Sequence, residues 1–191
     1  MKNSKFWVWF IPLFLVVCIG LYNMVVIANK NKVVEVKDAE VIKELYSKQN
    51  DSLIKVELSD NNNYVLSDKE VLEKLFNNNG ILYLGDASSL SSRKNVVLLD
   101  EVVSSTSIDK IYFVNISNID EQLTNYLKDK LEVDSLDAGN TYLIKQGIVI
   151  NEITANDLNN DKELSDKEKE TLQLEYQEKI LDLIEKCDEN C

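Results

Sequence analysis

The chain has 191 residues and a formal net charge of −12, with 21 lysines and arginines against 33 aspartates and glutamates. That acidity argues against a surface for nucleic acid or anionic lipid headgroups. Histidine is absent, which excludes His-based general-base catalysis, His–Cys dyads and His metal ligands together.

The first element in chain order is an apolar run over residues 6–28, without a charge and with only Cys18, Tyr22 and Asn23 as polar members. At 1.5 Å per residue it spans about 34 Å, enough for a hydrocarbon core of about 30 Å with some tilt. It shows no polar stripe at helical spacing, and Phe6, Trp7, Trp9 and Tyr22 suit its two interfaces. A cleaved signal peptide would have a shorter core and a small-x-small site, for which Ala28 is a weak candidate. A lipoprotein signal would need a small residue before Cys18, where Val17 stands. The sequence therefore predicts an uncleaved single-pass signal anchor within residues 1–32. Lys2 and Lys5 precede it and Lys30, Lys32, Lys37 and Lys43 follow it, so a strict positive-inside count does not favour export of the C-terminal part. Long acidic domains translocate largely regardless of that count, and the expected location is the cell membrane with the soluble domain outside the cytoplasm. Residues 1–28 hold two lysines and no acid, so the remainder carries −14.

Residues 33–50 are expected as a linker helix, with Val36, Val41, Ile42 and Leu45 on one side, and residues 51–191 as one domain. The domain has no proline, since the single one is Pro12, and no Gly/Ser-rich stretch divides it. Leu53 to Leu58 alternates like a strand, with Tyr64 to Leu66 extending it. Ser67-Asp68-Lys69-Glu70 reads as a capping box opening a helix with Val71, Leu72, Leu75 and Phe76 on its buried face, ended by Gly80. Ile81 to Leu84 is a buried strand, and a helix through Val96, Val97, Leu99 and Val103 follows. Ile111 to Ile116 is the next strand, and Asn118 or Asp120 caps a helix carrying Leu123, Tyr126, Leu127 and Leu131. Thr141 to Ile144 and Ile148 to Ile153 form a hairpin across Lys145-Gln146-Gly147. A second capping box, Ser165 to Glu168, starts a long helix with Leu172, Leu174, Tyr176, Ile180, Leu181 and Ile184. The order β-α-β-α-β-α-β-β-α predicts an α/β fold, a mixed sheet covered by helices on both faces.

This order, together with the stretch from Ile81 to Lys94, resembles the thioredoxin-like proteins. It is most similar to the Gram-positive, membrane-anchored or secreted group called bacteriocin transport accessory proteins. Lys145-Gln146-Gly147 and the run from Leu164 to Lys169 fit the same group. The resemblance covers about residues 51–186. It implies that Ser89 and Ser92 occupy the two active-site cysteine positions and that Asn140, just before Thr141, occupies the cis-proline position. Nucleophile, resolving thiol and substrate-positioning proline are then all replaced. Disulfide exchange needs a thiolate, and a serine activated for acyl transfer needs a base. Ser91 and Lys94 spell S-x-x-K, but so do Ser52 with Lys55 and Ser107 with Lys110.

No catalytic residue, cofactor or metal site is therefore expected. Ser89, Ser91 and Ser92 are expected to cap the helix, with a milder alternative in which the helix start, Ser91, Arg93, Lys94 and Thr141 hold an anion or a peptide carboxylate; otherwise Arg93 and Lys94 are read as solvated. Cys187 and Cys191 are the one thiol pair outside the apolar run, able to close a small disulfide or to pair between chains. The expected function is a non-catalytic protein- or peptide-binding accessory module, with the resemblance implying a partner in an export system. The alternatives are a thiol oxidoreductase using Cys187 and Cys191 and a purely structural subunit of a membrane complex.

Overall fold

The computed structural model describes residues 38–48, 54–60, 62–108, 110–155, 158 and 162–185. The expected anchor at residues 6–28 and the pair Cys187 and Cys191 lie outside these. Among the described residues no helix is long and apolar enough to cross a membrane.

Helix α1 covers residues 38–47. There follow β1 (Tyr64–Leu66), α2 (Lys69–Leu75), β2 (Gly80–Gly85), α3 (Leu90–Val103), β3 (Ile111–Asn115), α4 (Glu121–Leu131), β4 (Thr141–Lys145), β5 (Ile148–Ile153) and α5 (Asp166–Glu185). The sheet order is β1-β3-β2-β4-β5. β1 and β2 run parallel to β3, and β4 and β5 are antiparallel. The α/β class, the mixed sheet and the helices on its faces agree with the sequence reading.

Period-two alternation in β2 sorts the layers. Ile81 and Tyr83 join Ile42 and Tyr46 of α1, Val96 and Leu99 of α3, and Tyr176 and Ile180 of α5 in one core. Leu82 and Leu84 point the other way, against Leu72 and Leu75 of α2 and Leu127 and Leu131 of α4. All six residues of β2 are buried, as expected of a central strand covered on both sides.

Several local expectations are corrected. Residues 54–60 form no strand. Ile54 is buried, but the parallel partner of β3 is Tyr64–Leu66. Asp68, not Ser67, caps α2 by accepting from the Val71 amide at 3.0 Å. Asp120 caps α4, accepting from the Leu123 amide at 2.7 Å. The box at α5 forms as read: Glu168 Oε2 accepts from the Ser165 amide, and the Ser165 hydroxyl accepts from the Glu168 amide. The helix expected as a linker belongs to the packed body, because Ile42 and Tyr46 are wholly enclosed while Val41 is 42% exposed. On α5 the buried face is Tyr176, Ile180 and Leu183, and Leu174 and Leu181 face solvent.

Candidate functional site

The β2-to-α3 turn forms because Asp86, just past the last strand residue, accepts from the Ser88 amide at 2.8 Å and from its hydroxyl at 2.7 Å. Such side-chain-to-backbone bonds reverse the chain without a regular ladder. Ser89 then takes the N-cap, in extended conformation, with its Oγ accepting from the Ser92 amide at 3.3 Å. Ser89 Oγ also lies 2.8 Å from Ser91 Oγ, and Ser91 donates to the Ala138 carbonyl at 3.0 Å. Of the serines expected to cap the helix, Ser89 alone does so; Ser91 instead ties that cap to the loop before β4.

Ser92 is fully enclosed. Its Oγ accepts from the Asp86 amide at 3.0 Å and lies 2.8 Å from the Tyr46 hydroxyl and 3.0 Å from the Tyr83 hydroxyl. Tyr83 donates its proton to the Ser92 carbonyl at 2.6 Å. One assignment satisfies everything: Asp86 and Tyr46 donate to Ser92, and Ser92 donates to Tyr83. A hydroxyl has one donor and two acceptor positions, and all three are used. Burial, before any other cause, pushes the Tyr46 phenol up to about 12 and the Tyr83 phenol well above its ordinary value. Both are neutral at ordinary pH, so neither serves as a base for Ser92.

Arg93 is 3% exposed and is not solvated. Its Nε donates to the Ile54 carbonyl at 2.8 Å, and its Nη1 donates to the carbonyls of Tyr46 at 3.0 Å and Ala87 at 3.1 Å. The guanidinium also lies 5.9 Å from the Tyr46 ring centre. Its donors fasten α1, the segment at Ile54 and the loop before α3, so its charge is spent inward rather than offered to an anion at the helix start. Lys94 is also enclosed, at 5% exposure, on another side of α3.

Gly139 lets the loop before β4 approach α3. Its φ of +97° favours glycine, and a Cβ there would sit 3.0 Å from the backbone of Ser92 and 2.8 Å from Ala155 Cβ. The Asn95 side-chain amide donates to the Gly139 carbonyl, and Tyr176 of α5 donates to Asn95 Oδ1. Asn140 is 3% exposed. Its side chain donates to Glu152 and accepts from the Ala155 amide, both at 3.0 Å. Its backbone bonds Leu84 and Asp137. Thr141 is buried beside the Tyr176 hydroxyl, with its Oγ1 making no hydrogen bond among the described residues.

The structure thus brings Ser91, Ser92, Asn140 and Thr141 together where β2, α3 and β4 meet, with Ser89 at the lip and Arg93 behind. The sequence reading missed Tyr46, Tyr83 and Asn95, which hold this cluster. Only the spacing of Tyr46 four residues after Ile42 hinted at the first of them. No protein-family model, curated protein or solved structure matches this chain.

Proposed function

We propose that the chain is a thioredoxin-like, non-catalytic binding or accessory module, carried outside the cytoplasm on its N-terminal anchor. The sheet order β1-β3-β2-β4-β5 with three parallel strands and a closing antiparallel hairpin supports the fold assignment. So does the placement of Ser89 and Ser92 at the start of the helix after β2, and of Asn140 directly before β4.

The observation that carries the reading is the enclosure of Ser92. In the position the resemblance gives to a resolving thiol stands a hydroxyl whose three hydrogen-bonding positions are filled by Asp86, Tyr46 and Tyr83. It is held as a structural element, and among the described residues its Oγ bonds two phenols and a backbone amide rather than a carboxylate or an amine. The loop opposite is engaged in the same way, because the carbonyls of Ala138 and Gly139 and the amide of Gly139 all bond within the chain. Partner recognition of the export-accessory kind therefore falls to a surface other than this junction.

The test is reduction of insulin disulfides by the full-length chain, beside a variant with Cys187→Ser and Cys191→Ser. No turnover by either is the expected result. Turnover that disappears in the double variant would transfer the function to the C-terminal thiols. Turnover that survives it would sink the non-catalytic reading. Protease added to intact cells tests the location: digestion beyond about residue 32, with the anchor retained, is expected. Protection until the membrane is permeabilised would reverse the topology.

A further inference from the structure

Two buried groups of opposite charge stand about two turns apart on α3, and both hold the segment that leads into β1. Arg93 is 3% exposed and Asp100 2%. Arg93 Nε donates to the Ile54 carbonyl at 2.8 Å. Asp100 Oδ2 accepts from the Ser59 amide at 2.6 Å, and Oδ1 accepts from the Asn62 side-chain amide at 2.8 Å and from the Tyr64 hydroxyl at 2.7 Å. The Asn62 side chain also donates to the Asp100 carbonyl at 2.7 Å. Residues 54–60 form neither helix nor strand, so these bonds stand where a ladder would. Val56 and Leu58 are partly buried against the core that holds Val96, Leu99 and Val103.

The two attachments differ in chemistry. A guanidinium keeps its charge at every pH a fold survives, so the Ile54 end is permanent. A carboxylate is purely an acceptor only while ionised. Protonation at Oδ2 would set a hydrogen against the Ser59 amide, which cannot turn away, and protonation at Oδ1 would take an acceptor from Asn62 or Tyr64. Either way the remaining bonds lose their charge assistance. The titratable group facing Asp100 is Tyr64, whose phenol is held well above its ordinary value by burial first and then by this carboxylate, so it remains a neutral donor in acid. Two other carboxylates hold the neighbouring chain. Asp60 pairs with Lys43, which keeps its carboxyl below the usual range, and Asp38 accepts from the Leu66 amide at 3.1 Å. Glu101, next to Asp100 on α3, pairs with Lys169 of α5 at 2.6 Å.

We infer that residues 54–62 are an acid-released strap, hinged at Ile54 on Arg93 and latched at Ser59 and Asn62 on Asp100. As Asp100 takes up a proton the latched end lifts. Val56 and Leu58 then come off the core, and β1 loses the Tyr64 anchor, while β2, β3, β4 and β5 keep their ladders. The device converts acid into a local apolar surface beside the sheet's edge. It stands whether or not the chain is a binding module.

The test is hydrogen exchange read by mass spectrometry on the full-length chain in nanodiscs of zwitterionic lipid, from about pH 7 down to about pH 3, each point corrected for the intrinsic pH dependence of exchange. Peptides spanning residues 54–62 are compared with peptides from β2. In the unmodified chain the strap is expected to lose protection roughly tenfold or more in acid while β2 keeps its own. Asp100→Asn is expected to show that loss already at neutral pH and to change no further in acid. Asn62→Ala removes one donor and keeps the carboxylate. It is expected to lose part of the protection at neutral pH and the rest in acid, and it carries the test if Asp100→Asn does not fold. Equal loss in the strap and in β2 at every pH would be ordinary acid unfolding and would overturn the inference. So would a strap as well protected in Asp100→Asn as in the unmodified chain. A pH response that survives in Asp100→Asn would also overturn it and pass the role to Asp38 or Asp60.

Discussion

Ser92→Ala separates a structural hydroxyl from an idle one. The substitution removes the acceptor of the Asp86 amide at 3.0 Å and the partner of the Tyr46 hydroxyl at 2.8 Å. Tyr83 keeps its bond to the Ser92 carbonyl at 2.6 Å. Each buried donor left without a partner costs about 1–3 kcal/mol. Asp86 is only half-buried and sits at the low end of that range, so the expected loss is about 2–4 kcal/mol. Ser89→Ala deletes only a long cap bond, 3.3 Å, at a position water reaches, and is expected to cost about 0.5–1 kcal/mol. Urea titration followed by circular dichroism at 222 nm measures both. With m of about 1–3 kcal/mol/M, the Ser92 variant should lose on the order of 1–2 M in midpoint, several times the loss at Ser89. Tyr46→Phe should cost about 1 kcal/mol and, combined with Ser92→Ala, show coupling of similar size. Equal midpoints for the two serine variants, or additivity of Tyr46→Phe with Ser92→Ala, would refute the closed network.

Three further outcomes are expected. Arg93→Met should destabilise by about 3 kcal/mol or more in the same urea titration, because the carbonyls of Tyr46, Ile54 and Ala87 lose their donor, and Arg93→Lys should recover part of that by reaching fewer of them. Tyr46→Ala should cost about 3–5 kcal/mol, and a fragment starting at residue 51 should show a lower urea midpoint than one starting at residue 33, because Ile42 and Tyr46 lie in the core. Alkaline titration should unfold the domain: the Tyr46 phenol is raised to about 12 in the fold against about 10 unfolded. Its contribution is therefore complete below pH ~10 and is lost as pH rises from there to ~12, amounting to about 3 kcal/mol. Tyrosinate absorbance should rise together with the loss of helical dichroism, and ionisation of all the tyrosines ahead of that loss would contradict their burial.

The elements legible in the sequence were those whose signal is local. Apolar runs marked β2 and β3, Ser165 and Glu168 announced the α5 cap, and Gly147 marked the hairpin, where its φ is +79°. Alternation at Ile54, Val56 and Leu58 was misread because it encodes one-sided burial and cannot name a ladder partner. Arg93 was misread because a charged residue at a helix start is ordinarily solvated. Its three acceptors lie up to 47 residues away in sequence. The same distance hid Tyr46: a short helix after an apolar run reads as a connector until its tyrosine is seen beside Ser92.

The position of α1 also decides how the domain yields to force. It is the first described element, fastened by Arg93 to the Tyr46 carbonyl, by Tyr46 to Ser92 and by Asp38 to the Leu66 amide. Tension arriving from the N-terminal side loads those few bonds before any strand. Once α1 peels away, the load passes to residues 54–62, held by Arg93 at the Ile54 carbonyl and by Asp100 at Ser59 and Asn62, and then to β1, three residues long and on the sheet's edge, while β2, β3, β4 and β5 still share their ladders. Stretching from that end therefore opens the protein stepwise. It lays bare the Ser92 cradle and the Arg93 guanidinium first, while most of the sheet is still standing.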